Sequence, residues 1–516
     1  MSRKVLFATS NGTGLGHLNR AMAIARRLPA TYESRIFTLS QAAPVVARQG
    51  FEVDYLASYR RPGSGTDHAW NLRLRDVLAE LIADRRPDVV VFDGVHPYRA
   101  LTHVLSARGA PRSIWLRRPM WREGSSRAPL GRAGAFDAVL EPGELAASAD
   151  RGPTVGERGR ALRVDPIVFL DQGELLGRRE AAAALGLDPE RRTALVMLGQ
   201  GGELDRAVAR TLGALAARPE LQVAALQSSI GPGIEVPAEV VHLDATFPMS
   251  RYFEAFDLAV AAPGYNAFHE LIAFGVPALF VPMDRNTDDQ HARARWAAST
   301  GVALAVGGAG DPALEERVGE LADPERAAGL RSRALASFPG NGAARAADLV
   351  RRVAAGEPSA PPVRNRGRFN RWLRLAAHPV GPSSPLVAAL GARDLARHPE
   401  RRRPYLLILA VGVPDAELIE RVRDALVAGR VPPERALVIT DSLRFAELRR
   451  LGVGFELLPG APAAGRPPIG PELERMRRRL RLLMRGRRPL RAVSIGELGD
   501  ELLGLVEQPE PRPAIG

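Results

Sequence analysis

The stretch APGYNAFHELIAFGVPALFVPMDRNTDDQ, residues 262–290, holds a strand end, a glycine turn, a helix and a second strand in close succession. An apolar strand ends at Pro263, Gly264 makes the turn, and a helix begins near Asn266. The first N–H groups of such a helix have no partners within it, and the helix dipole favours an anion there. The stretch therefore predicts an anion site at the carboxyl edge of a parallel sheet.

A second glycine turn lies near the start of the chain, where NGTGLGHLNR (residues 11–20) follows the apolar run KVLFATS and precedes a helical pattern. Gly14 and Gly16 let backbone N–H groups approach an anion or a reactive hydroxyl closely. A dinucleotide-binding fingerprint would need glycine where His17 stands, and a Walker P-loop would need a Gly-Lys-Ser/Thr sequence. Both of these nucleotide sites are therefore disfavoured.

Apolar strands alternate with helical stretches over most of the chain, which predicts an α/β protein with parallel sheets. We expect two doubly wound Rossmann-like domains facing across a cleft, with a smaller C-terminal α/β module. The predicted boundaries are 1–165 for the first domain, 166–356 for the second, 357–403 for a Pro/Arg-rich linker and 404–506 for the module.

The composition limits the chemistry. Hydrophobic residues make up 46% of the 516 residues, which is typical of a globular chain. The absence of cysteine excludes disulfides, thiolate catalysis and cysteine-ligated metal centres. Apolar runs are shorter than the roughly 20 residues of a membrane span, and the N-terminus lacks a secretory signal, so a cytoplasmic location is expected.

Residues 262–290 resemble the donor-binding signature of the GT-B glycosyltransferases, both the UDP-glycosyltransferases and the MurG-like enzymes of family 28. GYNAFHE (264–270) stands where these families have Gly-aromatic-Asn-Ser/Thr-x-x-Glu, and DDQ (288–290) matches their closing Asp/His-Gln pair. The opening GTGLGH turn and GQGG (199–202) resemble the two glycine loops of the MurG-like enzymes. The resemblance extends in order and spacing over residues 1–350.

The resemblance implies a glycosyltransferase of the hexosyltransferase class, inverting and metal-independent, with a UDP-sugar donor favoured and a dTDP-sugar left open. Glu270, one turn into its helix, is expected to accept both ribose hydroxyls, while Asp289 and Gln290 would bind hydroxyls of the transferred sugar. No metal or other cofactor is expected, because the helix N-terminus can hold a diphosphate. The donor-binding residues implied are Gly14, Gly16, Gly201, Gly202, Gly264, Tyr265, Asn266, Ala267, Glu270, Asp289 and Gln290.

The catalytic prediction rests on His17, placed at a strand-to-helix turn where an imidazole could remove the proton of an acceptor hydroxyl. In the resembled UDP-glycosyltransferases an aspartate orients this base, and VVVFDG places Asp93 at the matching position. The alternative is that His17 only caps its helix or binds phosphate. His96 and His269 are further candidates for the base, although each by itself is more typical of a structural residue.

Two departures from the family pattern leave the donor preference open. Ala262 replaces a histidine of the plant-type signature, and Arg293 replaces an asparagine that follows the Asp-Gln pair. The choice between UDP and dTDP depends on contacts that these positions leave undetermined.

The segment WLRRPMWREGSSRAPLGRAG (115–134) mixes tryptophan with arginine after the fifth strand, at the edge that faces the acceptor in a GT-B enzyme. Trp115, Arg118 and Trp121 are the candidate acceptor contacts. They would suit an acceptor that is lipid-linked, aromatic, anionic or a small natural product. A plain arginine-rich surface loop is the alternative interpretation.

The C-terminal module has no glycine-loop, histidine or paired-acid signature, so its role stays open. Its segment PELERMRRRLRLLMRGRRPLR (471–491) predicts a helix with an apolar face among arginines. That face could lie on an anionic membrane at the inner surface, or it could pack on the module's own sheet. Nucleic-acid binding is not expected, because aromatic residues do not interleave with the arginines. The predicted apolar face consists of Leu473, Met476, Leu480, Leu483 and Met484.

A second class of function uses the same fold without transfer. A sugar-nucleotide epimerase or hydrolase, or a non-catalytic nucleotide-sugar-binding protein, would share the donor signature. The pairing of His17 with Asp93 favours transfer.

Overall fold

The computed structural model describes residues 2–10, 15–59, 61–199, 203–226, 237–244, 246–357, 395–397, 404, 406–458, 470–485, 487, 489–496, 498 and 501–504. Over these residues the strands form three separate parallel sheets, one in each predicted block. The predicted linker lies outside the described residues except at 357 and 395–397.

The first block alternates strands and helices from its first residues. Its strands are β1 (Arg3–Thr9), β2 (Tyr32–Thr38), β3 (Glu52–Tyr55), β4 (Val89–Asp93), β5 (Arg112–Leu116), β6 (Ala138–Glu141) and β7 (Leu162–Arg163). Its helices are α1 (Gly16–Ala25), α2 (Ala43–Arg48), α3 (Asp67–Arg85) and α4 (Arg99–Leu105). The sheet order is β3-β2-β1-β4-β5-β6-β7, in which the chain returns to the middle after β3 and then builds outward on the other side. Strand β4 is buried throughout, as expected when helices cover both faces of a parallel sheet.

The second block repeats the same winding. Its strands are β8 (Arg192–Met197), β9 (Leu221–Leu226), β10 (Val241–Leu243), β11 (Leu258–Ala261), β12 (Ala278–Phe280) and β13 (Leu304–Ala305). Its helices are α5 (Arg178–Leu185), α6 (Glu203–Ala216), α7 (Tyr265–Ala273), α8 (Gln290–Thr300), α9 (Leu314–Ala322), α10 (Pro324–Ser337) and α11 (Ala343–Ala354). The sheet order is β10-β9-β8-β11-β12-β13, so its reversal point lies between β8 and β11. The predicted α/β class with two doubly wound domains is confirmed.

Helix α11 leaves the second block and packs on α1, β4 and β5 of the first. Its face of Ala346, Ala347 and Val350 is buried there. One apolar cluster, which includes Val91 of β4 and Phe268 of α7, continues through both blocks. The two domains therefore share a core and do not merely touch across a cleft.

The C-terminal block forms a smaller parallel sheet of order β16-β15-β14-β17. Its strands are β14 (Leu406–Ala410), β15 (Ala436–Thr440), β16 (Gly454–Leu457) and β17 (Arg491–Ser494), and its helices are α12 (Asp415–Gly429), α13 (Phe445–Arg450) and α14 (Pro471–Met484). Short 3₁₀ helices elsewhere span Ala128–Ala135, Ala147–Ala149, Val155–Arg160, Gln172–Glu174, Met249–Ala255 and Pro433–Arg435.

Helix α14 is the basic helix whose apolar face was expected either to lie on a membrane or to pack on the module's own sheet. Its Met476, Leu480 and Leu483 are buried in a cluster formed with the module's sheet and with α3 of the first domain. Arg479 is buried as well, and its Nε donates to Glu80 at 2.6 Å. Leu473 and Met484, the other two residues of the predicted face, are partly buried. The protein itself therefore covers most of the apolar face, and the structure favours packing over membrane insertion for this helix.

The module is anchored to the first domain by buried polar contacts. Glu456 of β16 accepts the N–H of Ala57 at 2.7 Å and pairs with Arg487 at 2.5 Å, and Arg487 also donates to the carbonyl of Gly63. Burying a charged pair is tolerated only when its hydrogen bonds are satisfied, as they are here. The module is therefore a fixed part of the first domain's surface near β3 and α3.

Candidate active site

Each of the two large sheets has one point where the strand order reverses. The loops after the two strands at this point run in opposite directions, which opens a crevice at the carboxyl edge of the sheet. In the first sheet this point lies between β1 and β4, whose last residues Thr9 and Asp93 are paired. In the second it lies between β8 and β11, and β11 leads into α7. His17 follows β1 and Asp93 ends β4. Residues 264–270 follow β11, whereas Asp289 and Gln290 follow the next strand, β12.

His17 and Asp93 are brought together as predicted. The His17 Nδ1 lies 2.6 Å from Asp93 Oδ1, and the His17 side chain keeps 12% of its surface exposed. An ionised carboxylate only accepts hydrogen bonds, so Nδ1 carries the proton and Nε2 keeps a free lone pair. Burial lowers the pKa of His17, opposed by the charge of Asp93 and assisted by the charges of Arg20 and Arg118. The imidazole is therefore neutral and able to accept a proton at neutral pH.

Arg20 is a third member of this cluster that the sequence analysis did not identify. Its Nε donates to Asp93 Oδ2 at 2.9 Å and its Nη2 donates to Asp93 Oδ1 at 2.7 Å. Burial works to raise the pKa of Asp93, but the charges of Arg20 and His17 outweigh it and hold that pKa below its ordinary value. The position of Arg20 three residues after His17 on one helix is the signal that could have revealed it.

The N-terminus of α7 lies against the N-terminus of α1. Gly264 is the N-cap of α7 and provides no side-chain cap, while Asn266 and Ala267 in the first turn are partly exposed. The Asn266 amide donates to the carbonyl of Gly16 at 3.4 Å. Two helix N-termini thus converge, and their N–H groups and dipoles favour an anion there, as the predicted diphosphate site requires.

Glu270 lies in the contact between α1 and α7, where it is only 8% exposed. Its Oε1 accepts a hydrogen bond from Asn19 Nδ2 at 2.9 Å. Burial raises the pKa of Glu270 to about 7, against hydrogen bonds from Asn19 and the Phe169 backbone. In this arrangement the Glu270 carboxyl group is therefore bound by Asn19 of the first domain, and its expected role in binding ribose hydroxyls stays a prediction.

Tyr265 was expected to bind the donor, but its side chain is buried. Its hydroxyl donates to the Gly143 carbonyl at 2.9 Å and accepts the Ile167 N–H at 3.1 Å. The ring therefore holds the two domains together, and only the backbone N–H of Tyr265 belongs to the helix N-terminus.

Asp289 and Gln290 also have partners within the protein. The Asp289 carboxylate caps α8 by accepting the Ala292 N–H at 2.9 Å, and Gln290 Oε1 accepts the Met283 N–H at 3.1 Å. These contacts fix the loop before α8, and the sugar-binding role of both residues stays a prediction.

A second acid that pairs across the cleft is Asp288, which the sequence analysis did not select. Its Oδ1 accepts hydrogen bonds from Arg293 at 2.8 Å and from Arg118 of the first domain at 3.3 Å. Arg293 also donates to Glu144 at 2.9 Å. Burial works to raise the pKa of Asp288, but Arg293 and Arg118 lower it to about 2. Arg293, which stands where the family pattern has an asparagine, therefore pairs with an acid of each domain.

Two of the three predicted acceptor contacts are buried in this structure. Trp115 is fully buried in β5 with its Nε1 donating to the Gly94 carbonyl at 2.8 Å, because a central parallel strand is covered on both faces. Trp121 is 2% exposed, and its backbone forms an antiparallel bridge with Asp288. Arg118 alone keeps a partly exposed side chain beside the cleft.

The alternative histidines do not suit the role of base. His269 is fully buried and its Nδ1 donates to the Tyr265 carbonyl at 2.6 Å. His96 is exposed, with its ring 5.8 Å from that of Trp121. Of these histidines, His17 is the one that combines a carboxylate partner at hydrogen-bond distance with access to the cleft.

Gly14, Gly201 and Gly202 lie outside the described residues, so their donor-binding roles stay predictions. Within the described ranges, no three metal-ligating side chains gather at one point. No helix in the described part of the chain has the length and apolar character needed to cross a bilayer.

Curated relatives identify the family. The chain is 30% identical over 377 residues to the UDP-N-acetylglucosamine–N-acetylmuramyl-(pentapeptide) pyrophosphoryl-undecaprenol N-acetylglucosamine transferase of Clavibacter sepedonicus, covering 70% of this chain and 99% of the relative. The enzyme of the same name from a Nocardioides species is 31% identical over 60% of this chain and 87% of its own. No family model matches the chain.

A solved structure shows the same fold. A Listeria monocytogenes protein described as a UDP-N-acetylglucosamine 2-epimerase superposes with a TM-score of 0.50, covering 70% of this chain and 99% of its own. At 13% identity this likeness concerns the fold alone. The GT-B fold class implied by the sequence is confirmed.

The buried Glu270 makes stability depend on pH. Its pKa of about 7 in the folded protein exceeds the ordinary value of 4.5, so ionisation destabilises the fold as pH rises through 7. We expect the free energy of unfolding of wild type to fall by up to about 3 kcal/mol between pH 4.5 and pH 8, relative to Glu270→Gln. Melting temperatures across this range measure the difference. Glu325→Gln, at an exposed site, should follow wild type. A difference between wild type and Glu270→Gln that does not change with pH would contradict the assignment.

Proposed function

Because the chain belongs to the MurG-like family of UDP-N-acetylglucosamine transferases, it is a nucleotide-sugar glycosyltransferase, and we propose that it transfers N-acetylglucosamine with inversion to a pyrophosphate-linked lipid. The relatives' names supply the donor and the acceptor class. The observation that carries the mechanism is the 2.6 Å contact between His17 and Asp93 at the reversal point of the first sheet.

The reaction is a single displacement. The acceptor hydroxyl gives its proton to His17 Nε2 as its oxygen attacks the anomeric carbon, and the bond from that carbon to the UDP oxygen breaks, with its electron pair leaving on the UDP. Asp93 keeps the proton of the neutral ring on Nδ1 and stabilises the imidazolium that forms. One attack from the face opposite the leaving group gives the inverted anomer.

The leaving diphosphate is held by backbone groups. The uncapped N-terminus of α7 at Gly264, Asn266 and Ala267, together with Gly16 of α1, offers N–H donors and two positive dipole ends. Preorganised donors of this kind stabilise negative charge as it develops on the leaving group. We therefore propose transfer without a bound metal ion.

Donor entry requires the two domains to separate locally. The hydrogen bond between Asn19 and Glu270 must open before Glu270 can accept the ribose hydroxyls. Asp289 and Gln290 then lie at the edge next to α7, where hydroxyls of the transferred sugar are proposed to bind. The acceptor approaches from the side of His17 and Arg118.

The dyad is tested by paired substitutions. His17→Ala should lower the rate of radiolabelled N-acetylglucosamine transfer by about 10²–10⁴-fold, because proton removal loses its base. Asp93→Asn should also lower it, and the double variant should lose much less than the product of the single losses. Calorimetry with UDP should show nearly unchanged affinity. His68→Ala, at an exposed histidine of α3, is the matched control.

Full activity in His17→Ala would remove this residue as the base, and multiplicative losses in the double variant would show that the two residues act separately. Release of free N-acetylglucosamine at the same rate with or without the acceptor would identify a hydrolase. Formation of a second UDP-sugar would identify an epimerase.

Metal independence is tested directly. Enzyme dialysed against EDTA should transfer at the rate of untreated enzyme, because backbone N–H groups and not a cation hold the diphosphate. Complete loss of transfer that magnesium restores would contradict the proposal.

A further inference from the structure

Arg20 is a buried cation in the contact between the two domains. Its side chain is 1% exposed, and its guanidinium carbon lies 5.0 Å from the centroid of the Tyr265 ring. Its Nη1 lies 3.5 Å from Asn266 Oδ1, at the first turn of α7. The donor-binding domain thus supplies the surface on which this first-domain arginine rests.

The same guanidinium binds the carboxylate that orients His17. Arg20 donates to both oxygens of Asp93, and its Nη2 lies 3.0 Å from His17 Nδ1. A two-point contact of this kind fixes the plane of the carboxylate, which a single hydrogen bond would leave free to rotate. Asp93 Oδ1 therefore stays directed at the imidazole.

Arg20 also places a positive charge next to the ring. A cation at this distance opposes a second positive charge on the imidazole, while Asp93 favours it. Burial lowers the pKa of His17 most strongly, Asp93 opposes this effect, and the charges of Arg20 and of Arg118, from the segment after β5, lower the pKa further.

We propose that Arg20 is a positioning residue for sugar transfer, which fixes Asp93 for His17 and holds a positive charge beside the imidazole while α7 is packed against α1. The proposal rests on the proposed function in taking His17 as the base. It adds a residue that touches neither donor nor acceptor and acts through Asp93.

Two substitutions separate geometry from charge. Arg20→Met removes both the positive charge and the two-point contact with Asp93. Asp93 and Arg118 then remain as the charged groups facing His17. Arg20→Lys keeps the charge but loses the planar two-point contact. Arg26→Met, at the C-cap of the same helix and paired with Glu174 away from the dyad, is the matched control.

The first measurement is the pH dependence of kcat and KM with UDP-N-acetylglucosamine. Arg20→Met should lower kcat about 10²-fold with little change in KM for the donor, and should move the acidic limb of kcat/KM upward by about one pH unit. Arg20→Lys should lower kcat while leaving the acidic limb close to that of wild type. Arg26→Met should match wild type in both respects.

The second measurement needs no activity. The imidazole of His17 is titrated by NMR in wild type, Arg20→Met and Arg20→Lys, assigned with His17→Ala. Its pKa should rise by about one unit in Arg20→Met and stay near the wild-type value in Arg20→Lys. If Arg20→Met does not fold, Arg20→Lys still decides the geometric part, because an unchanged kcat in that variant overturns it.

The outcomes distinguish the two proposals. If His17→Ala is fully active while the NMR shift in Arg20→Met occurs, the proposed base fails but the electrostatic link between Arg20 and His17 holds. An imidazole pKa and an acidic limb that are both unchanged in Arg20→Met would overturn the role of Arg20, whatever the base.

Discussion

The geometry of the candidate active site depends on the buried carboxylate of Asp93, which is bound by two side chains of helix α1. A buried charge without partners would cost several kcal/mol, so Asp93 is stable at the end of β4 only because His17 and Arg20 both bind it. Gly94 follows immediately, where a Cβ would lie 2.4 Å from the Phe92 ring, so another residue there would force this buried ring to move. Binding to Asp93 fixes the start of α1 and with it the direction of the His17 ring.

The contact between α1 and α7 joins this cluster to the donor domain. Arg20 rests on Tyr265, and Asn19 binds Glu270. A second link, from Arg118 through Asp288, crosses the cleft at the loop before α8. In the proposed reaction, opening the cleft for a donor would exchange these contacts for contacts with the ligand. The Glu270 carboxyl, with a pKa near 7, is the member whose charge changes most readily with its surroundings.

The strands and the pairing of His17 with Asp93 could be predicted because the sequence patterns that indicate them are local. Continuous apolar runs ended at glycine turns, and His17 and Asp93 each stood directly at such a boundary. The partners across the cleft could not be predicted, since Arg118 and Asp288 are separated by 170 residues and nothing local specifies their contact. Trp115 was misplaced because a central parallel strand buries both faces, which makes a tryptophan there a core residue. The apolar face of α14 was compatible with either a membrane surface or packing on the module's own sheet, and only the fold showed that α3 helps to cover it.

The most direct test of the single displacement by His17 is the anomeric configuration of the transferred sugar. UDP-N-acetylglucosamine carries an α-linked sugar, and one attack by an activated hydroxyl inverts that centre. Proton NMR of the isolated product distinguishes the anomers by the coupling between H1 and H2. The account predicts a β-linked N-acetylglucosamine with the large coupling of two axial protons. An α-linked product would require a second displacement or a front-face attack, and would contradict the mechanism built on His17, Asp93 and Arg20.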